Sequence, residues 1–159
     1  MPPLNLMKKS TKVIIIFSLL LWSIPLNAQA DHPWTAFLSK DSGLVGFKDA
    51  DGTIRIKPRY TSFTTARKFD KIIAVMEEKN GKSAFYYLTK SGKKVQKENL
   101  YFFDNGPDCE SEGFIRFRDR KTDKAGLLNS KGEIALPATY NDLTPVRNGY
   151  IAALKGAKK

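Results

Sequence analysis

From residue 34 onward, short apolar runs alternate with polar, glycine-bearing turns, and no segment sustains apolar residues at i, i+3, i+4 and i+7. This pattern predicts strands and little or no long helix. The first set of strands falls at residues 44–47, 84–88 and 126–128. Each is followed by a polar turn closed by glycine: Asp49-Ala50-Asp51-Gly52, Thr89-Lys90-Ser91-Gly92 and Asn129-Ser130-Lys131-Gly132. A hairpin turn of this length needs a positive φ near its end, which glycine adopts without a Cβ clash. Second strands follow at 53–56 and 133–136, ended by Pro58 and Pro137, because proline has no N–H to continue a ladder. Third strands are expected at 72–76, 114–117 and 150–154, where β-branched and aromatic residues are bounded by turn formers. Asn80-Gly81 hands the first unit on to the second.

The glycines expose a period. Gly52, Gly92 and Gly132 are 40 residues apart, and the register around them holds. Val45-Gly46-Phe47 aligns with Phe85-Tyr86-Tyr87 and Ala125-Gly126-Leu127; Tyr60, Leu100 and Tyr140 share one phase, and Phe63, Phe103 and Leu143 another. The expected fold is all-β, an antiparallel meander of about three 40-residue units at 43–82, 83–123 and 124–159. Residues 34–38 form the third strand of an absent preceding unit and pair with 44–47 across Lys40-Asp41-Ser42-Gly43. One three-stranded unit cannot bury both faces, so neighbours must stack and share cores. An open solenoid-like array and an incomplete propeller-like array satisfy this grammar equally. Two readings of the C-terminus compete: a basic tail, Lys155 to Lys159, that blunts an edge strand, or a chain cut short, which is the reading favoured here because one terminal turn is poor cover for a sheet edge.

These residues resemble the bacterial WG-repeat (KWG-type) family, whose unit is an aromatic-Gly-apolar strand, a D/K-x-G turn, an apolar-x-Pro-x-Tyr segment and a return strand. The pattern stands here as Val45-Gly46-Phe47, Asp51-Gly52 and Ile56-Lys57-Pro58-Arg59-Tyr60, and again as Ala125-Gly126-Leu127, Lys131-Gly132 and Leu136-Pro137-Ala138-Thr139-Tyr140. The Trp before the motif glycine is absent throughout, Tyr86 replaces the glycine in the middle unit, and that unit lacks the proline. The resemblance implies an exported or surface repeat module that binds something. It implies no catalytic residues.

The first 30 residues read as an address. Lys8, Lys9 and Lys12 precede a largely apolar stretch at 13–24, and Ala28-Gln29-Ala30 supplies a small-residue exit. That order is a cleavable signal peptide, and the stretch is shorter than the roughly 18–20 residues of a spanning helix. Met7 would itself make a conventional start. No transmembrane segment is expected after cleavage, and the product is expected to be exported, to the periplasm or beyond. Cleavage removes three lysines and no acid from a formal +11, leaving +8 on 31–159. A basic exported surface faces an anionic envelope polymer or another exported protein. No aromatic-interleaved basic stripe or nucleic-acid motif is present, so no nucleic-acid partner is expected.

Candidate chemistry is sparse. One His and one Cys rule out a disulfide framework within the chain and the usual His/Cys zinc cage. Acids at Asp104, Asp108, Glu110 and Glu112 are dense enough to attract Ca²⁺ but do not follow the EF-hand spacing, and a solvated loop is the expectation. Cys109 lies among carboxylates that oppose thiolate formation, and His32 has no evident partner. No catalytic residue, metal or cofactor is assigned. The candidate binding groups are Tyr60, Tyr101, Phe102, Phe103 and Tyr140, whose rings could stack on sugars or anchor a partner, the alternative being burial between units. The expectation is a non-enzymatic binding or scaffolding module of the cell envelope. The alternatives are a secreted hydrolase, or its remnant, with carboxylates the sequence does not locate, and a non-functional fragment of a longer array.

Overall fold

The polar turns fold alike because the residue that opens each one carries a side-chain acceptor. In the computed structural model, which describes residues 32–61, 67–103 and 106–156, Asp49 Oδ1 accepts the N–H groups of Asp51 and Thr53 at 3.1 and 2.9 Å. Asn129 Oδ1 accepts those of Lys131 and Glu133 at 2.9 and 3.0 Å, and Thr89 Oγ1 accepts that of Lys93 at 3.1 Å. Gly52, Gly92 and Gly132 close the turns at φ of 83°, 85° and 70°.

The strands are β1 (Trp34–Leu38), β2 (Val45–Lys48), β3 (Ile54–Tyr60), β4 (Lys68–Phe69), β5 (Ile72–Lys79), β6 (Lys82–Thr89) and β7 (Lys94–Val95). They continue as β8 (Phe102–Phe103), β9 (Gly106–Pro107), β10 (Phe114–Asp119), β11 (Lys124–Asn129), β12 (Ile134–Tyr140), β13 (Asp142–Leu143) and β14 (Ala153–Leu154). There is no helix among the described residues, and so none long and apolar enough to cross a membrane. The sheets are antiparallel and open: one of order β4-β1-β2-β3-β5-β6-β7, one of order β10-β11-β12, and the pairs β13-β14 and β8-β9. β1 pairs with β2 as the sequence suggests, Ala36 opposite Phe47 and Leu38 opposite Val45. The signal segment, Phe63, Asp104 and residues 157–159 lie outside the described residues.

Two expectations are corrected. Pro58 and Pro137 do not end the second strands, which run through them to Tyr60 and Tyr140. The register gives the reason. Val45 pairs with Tyr60 but Phe47 with Ile56, and Ala125 with Tyr140 but Leu127 with Leu136, so each proline sits in a bulge where no ladder N–H is required. The last third strand, expected at 150–154, contracts to Ala153–Leu154. β5 and β10 are each laddered along their length to a following strand, β6 or β11, and no such neighbour flanks β14 among the described residues.

The motif glycines answer to an aromatic on the preceding strand. Phe37 pairs with Gly46, and Phe117 with Gly126. A Cβ on Gly46 would lie 2.9 Å from the Phe37 ring and 2.6 Å from the Ile56 oxygen; on Gly126 it would lie 2.5 Å from the Phe117 ring and 2.9 Å from the Ala138 nitrogen. The middle unit reverses the arrangement, with Val75 opposite Tyr86. The aromatic has moved to the other strand, so Tyr86 preserves the ring that covers this cross-strand position.

Three cores result. The first gathers Val45, Phe47, Tyr60, Phe69, Ile73, Val75, Tyr86 and Leu88. The second gathers Ile72, Ala74, Tyr87, Leu100, Ile115, Phe117 and Leu128, and the third Tyr101, Ala125, Leu127, Leu143 and Val146. Alternation along β5 sends Ile73 and Val75 into the first core and Ile72 and Ala74 into the second. The β5/β6 hairpin is thus buried on both faces, and β10/β11 lies between the second and third cores.

Candidate functional site

The five candidate aromatics separate by environment. Tyr60 is 2% exposed in the first core. Tyr101 is 3% exposed in the third, its N–H donating to Tyr87 Oη at 2.9 Å and its hydroxyl to Asp142. Tyr140 is partly buried against the third core, with the Lys155 ammonium 5.7 Å from its ring centre. A ring inside a core has no free face for a ligand. Phe102 and Phe103, on the short hairpin strand β8, are 53% and 67% exposed.

Behind them lies a buried ion pair. Arg116 donates from Nε to Asp108 Oδ2 at 3.0 Å and from Nη2 to Asp108 Oδ1 at 2.6 Å, while its N–H reaches Asp108 Oδ2 at 2.9 Å and its Nη1 the Leu143 carbonyl at 2.7 Å. Nε, Nη1 and Nη2 of the guanidinium each reach an acceptor and both Asp108 carboxylate oxygens accept, the kind of compensation under which a buried pair is tolerated. Burial alone would lower the Arg116 pKa, but the Asp108 carboxylate outweighs it and the shift is upward. The guanidinium lies 4.2 Å from the Tyr101 ring centre and 5.8 Å from that of Phe103, so the charge carries the floor beneath the exposed ring.

The acid-rich loop does not converge. Asp108 is bound to Arg116. Glu110 accepts the N–H groups of Lys71 and Ile72 at 2.7 and 2.8 Å, and Glu112 those of Asn148 and Gly149 at 2.6 and 2.8 Å. Burial pushes the Glu110 carboxyl pKa up, against the lowering effect of those two bonds. The loop is a clamp: its acids tie the middle unit forward to the turn at 148–149 and back to the start of β5. Among the described residues no group of three His, Cys, Asp or Glu side chains could hold a metal ion. Cys109 is exposed on this loop.

Two shallow concavities meet over Pro145 and Arg147. One, about 470 Å³, runs between Phe103, the 106–111 loop and Arg116; the other, about 550 Å³, is bounded by Thr144, Tyr150, Ile151 and Ala152. Tyr150 is 80% exposed. Together they form a surface with apolar rings at both ends and the exposed Arg147 between them. Sequence reasoning named Phe103 here but missed Arg147, Tyr150 and the buried Asp108–Arg116 pair. The 40-residue period gave no signal for Tyr150, because the backbone bonds Thr61 N–H to Met76 C=O and Asn141 N–H to Leu154 C=O place it at the position of Ile72, two residues out of that period, a position buried at 1% in β5. Nothing in the spacing marked Arg116, whose partner is eight residues away across an irregular loop. A smaller cavity, about 170 Å³, is lined by Asp70, Asp108, Glu110 and Glu112 beside Lys68 and Cys109.

Residues 126–158 match the family model of the WG containing repeat. The match opens on Gly126, the glycine fitted under the Phe117 ring. No curated protein and no solved structure matches the chain.

Proposed function

We propose that this protein is an exported, non-enzymatic binding or scaffolding module of the cell envelope, built from stacked WG-type units, about three in this sequence, with 126–158 matching the family's model. The observation that carries this reading is the surface over Pro145: Phe103 and Tyr150 stand exposed at its ends with Arg147 between them, on a base made rigid by the Asp108–Arg116 pair. Exposed rings with a cation between them suit an anionic polymer, whose sugar or backbone faces stack while its charges pair. The similar turns and alternating cores support the three-unit stack, and the basic balance supports an anionic partner. The test is affinity electrophoresis of the chain in gels containing polygalacturonate or neutral dextran. Retardation by the anionic polymer alone is expected, weakened by Phe103→Ala and Arg147→Ala. Mobility unchanged in both gels would remove the reading.

A hydrolase reading has one specific observation in its favour, the acid-lined cavity beside Glu110 with its raised pKa. It requires Glu110 to act on a substrate while holding two backbone N–H groups. Polymer cleavage abolished by Glu110→Gln in a protein of unchanged fold would establish it.

A further inference from the structure

The concavity beside Phe103 lies between the loop 106–111 and the turn that begins at Pro145, both within the described residues. Its volume, about 470 Å³, falls in the range that encloses a small ligand. The other cavity against the same loop, about 170 Å³ and walled by four acids, falls below that range.

Four charged side chains line the larger concavity, Asp108, Glu110, Arg116 and Arg147, and they differ in what they have left to offer. Asp108 and Arg116 are spent on each other and on the Leu143 carbonyl. Glu110 is half spent. The N–H groups of Lys71 and Ile72 both fall on its Oε2, while Oε1 accepts from no described residue and is not sealed from solvent. Arg147 bonds through its main chain to Tyr150, and its exposed guanidinium meets no acid among the described residues. The remaining polar groups nearby are occupied: the Ser111 hydroxyl donates to the Val146 carbonyl at 2.6 Å, and Glu112 holds the N–H groups of Asn148 and Gly149. Phe103 is 67% exposed, with the Arg116 guanidinium 5.8 Å from its ring centre as support.

An apolar ring, a carboxylate oxygen that accepts and a guanidinium that donates are therefore free at one concavity. Each asks for a different feature of a ligand. The ring suits the C–H face of a pyranose, the carboxylate a hydroxyl, and the guanidinium a carboxylate, which it can hold by two parallel bonds. A polyphosphate satisfies Arg147 but brings no C–H face, and its charge is repelled by Glu110. A neutral sugar leaves Arg147 without a counter-charge. We propose that Phe103, Glu110 and Arg147 form a subsite for one acidic sugar unit, a uronate, with its ring on Phe103, a ring hydroxyl donating to Glu110 Oε1 and its carboxylate on Arg147. The proposal rests on the reading of this surface as the binding site of an anionic polymer and names the unit that is recognised.

The test is isothermal titration calorimetry of the full chain with trigalacturonate and three relatives of it. The methyl ester removes the carboxylate charges, the O-methyl ether keeps them but donates no hydroxyl, and tripolyphosphate keeps negative charge without a ring. Saturable binding of trigalacturonate is expected, about tenfold or more tighter than that of each relative, since each loses a charge-assisted hydrogen bond or the ring contact. Glu110→Gln should weaken trigalacturonate and narrow its lead over the O-methyl ether, whereas a merely structural loss would weaken every ligand alike. Arg147→Ala should weaken trigalacturonate and tripolyphosphate together, with an unchanged thermal melt. Should Glu110→Gln fail to fold, because it also loosens residues 71–72, the O-methyl ether decides the same point on the wild-type chain. Equal binding of the O-methyl ether or of tripolyphosphate would overturn the proposal, as would trigalacturonate binding untouched by both substitutions. Gel retardation by polygalacturonate without saturable binding of trigalacturonate would overturn the subsite alone; loss of both would overturn the module reading as well.

Discussion

β5 and the segment 150–154 stand at corresponding places beside β3 and β13, yet β5 is buried on both faces over its first half, whereas of 150–154 only Ile151 is partly covered. Ile72 lies at 1% exposure and its counterpart Tyr150 at 80%. The difference comes from the neighbours. β5 has β6 laddered to one edge and cores on either side, whereas Ile151 faces the third core and nothing described covers the other face of its strand. In a stacked array, whether an apolar residue is core or surface is settled by the layers packed against it.

The comparison is broken most severely inside the second core. Tyr87 is fully buried, and its hydroxyl bridges the Arg116 carbonyl and the Tyr101 N–H. Tyr87→Ala is expected to destabilise by about 4 kcal/mol in urea denaturation, from lost packing and orphaned polar groups. Asp108→Ala should cost about 3 kcal/mol by leaving Arg116 buried and unpaired, and the same titration reads it.

A finer test concerns the glycines. Gly126→Ala should cost roughly 1–3 kcal/mol because the new Cβ meets the Phe117 ring and the Ala138 nitrogen. Phe117→Val, the residue type found at Val75, should return part of that loss, with a coupling of about 1 kcal/mol in the double-mutant cycle. Simple additivity would remove the account of Tyr86 as a transferred aromatic.

Acid sharpens the contrast further. Partial burial would raise the Glu77 pKa, but Lys94, Arg59 and Tyr86 donate to its carboxylate and hold it down at about 2, below its ordinary 4.5. A depressed carboxylate contributes stability that is complete above its unfolded pKa and lost as protons bind. Wild-type stability should therefore fall between about pH 4.5 and 2, and Glu77→Gln should flatten that part of the pH–stability curve. At the small end, Tyr150→Ala, at a position 80% exposed, should change stability by no more than about 0.5 kcal/mol, read by the same urea titration.

What was legible in the sequence was local. The three turns were readable because Asp49, Thr89 and Asn129 make their bonds within four residues and Gly52, Gly92 and Gly132 need their φ whatever surrounds them. The pairing of β1 with β2 followed from the same logic. Whatever depended on a distant partner was not legible. The bulges at Pro58 and Pro137 exist only against β2 and β11, and proline read alone signals a strand end. Glu110 and Glu112 looked like neighbours in a ligand cluster, yet one binds residues 71–72 and the other 148–149. Tyr60, Tyr101 and Phe103 carry similar rings near unit corners, and only the layers around them leave Phe103 at the surface.

The central claim is that consecutive hairpins share cores, so that β5/β6 and β10/β11 stand or fall together through the second core. Hydrogen exchange followed by mass spectrometry at increasing urea tests it most directly. The account predicts one opening free energy and one urea dependence for β5, β6, β10 and β11. Separate opening energies for the two hairpins would contradict it.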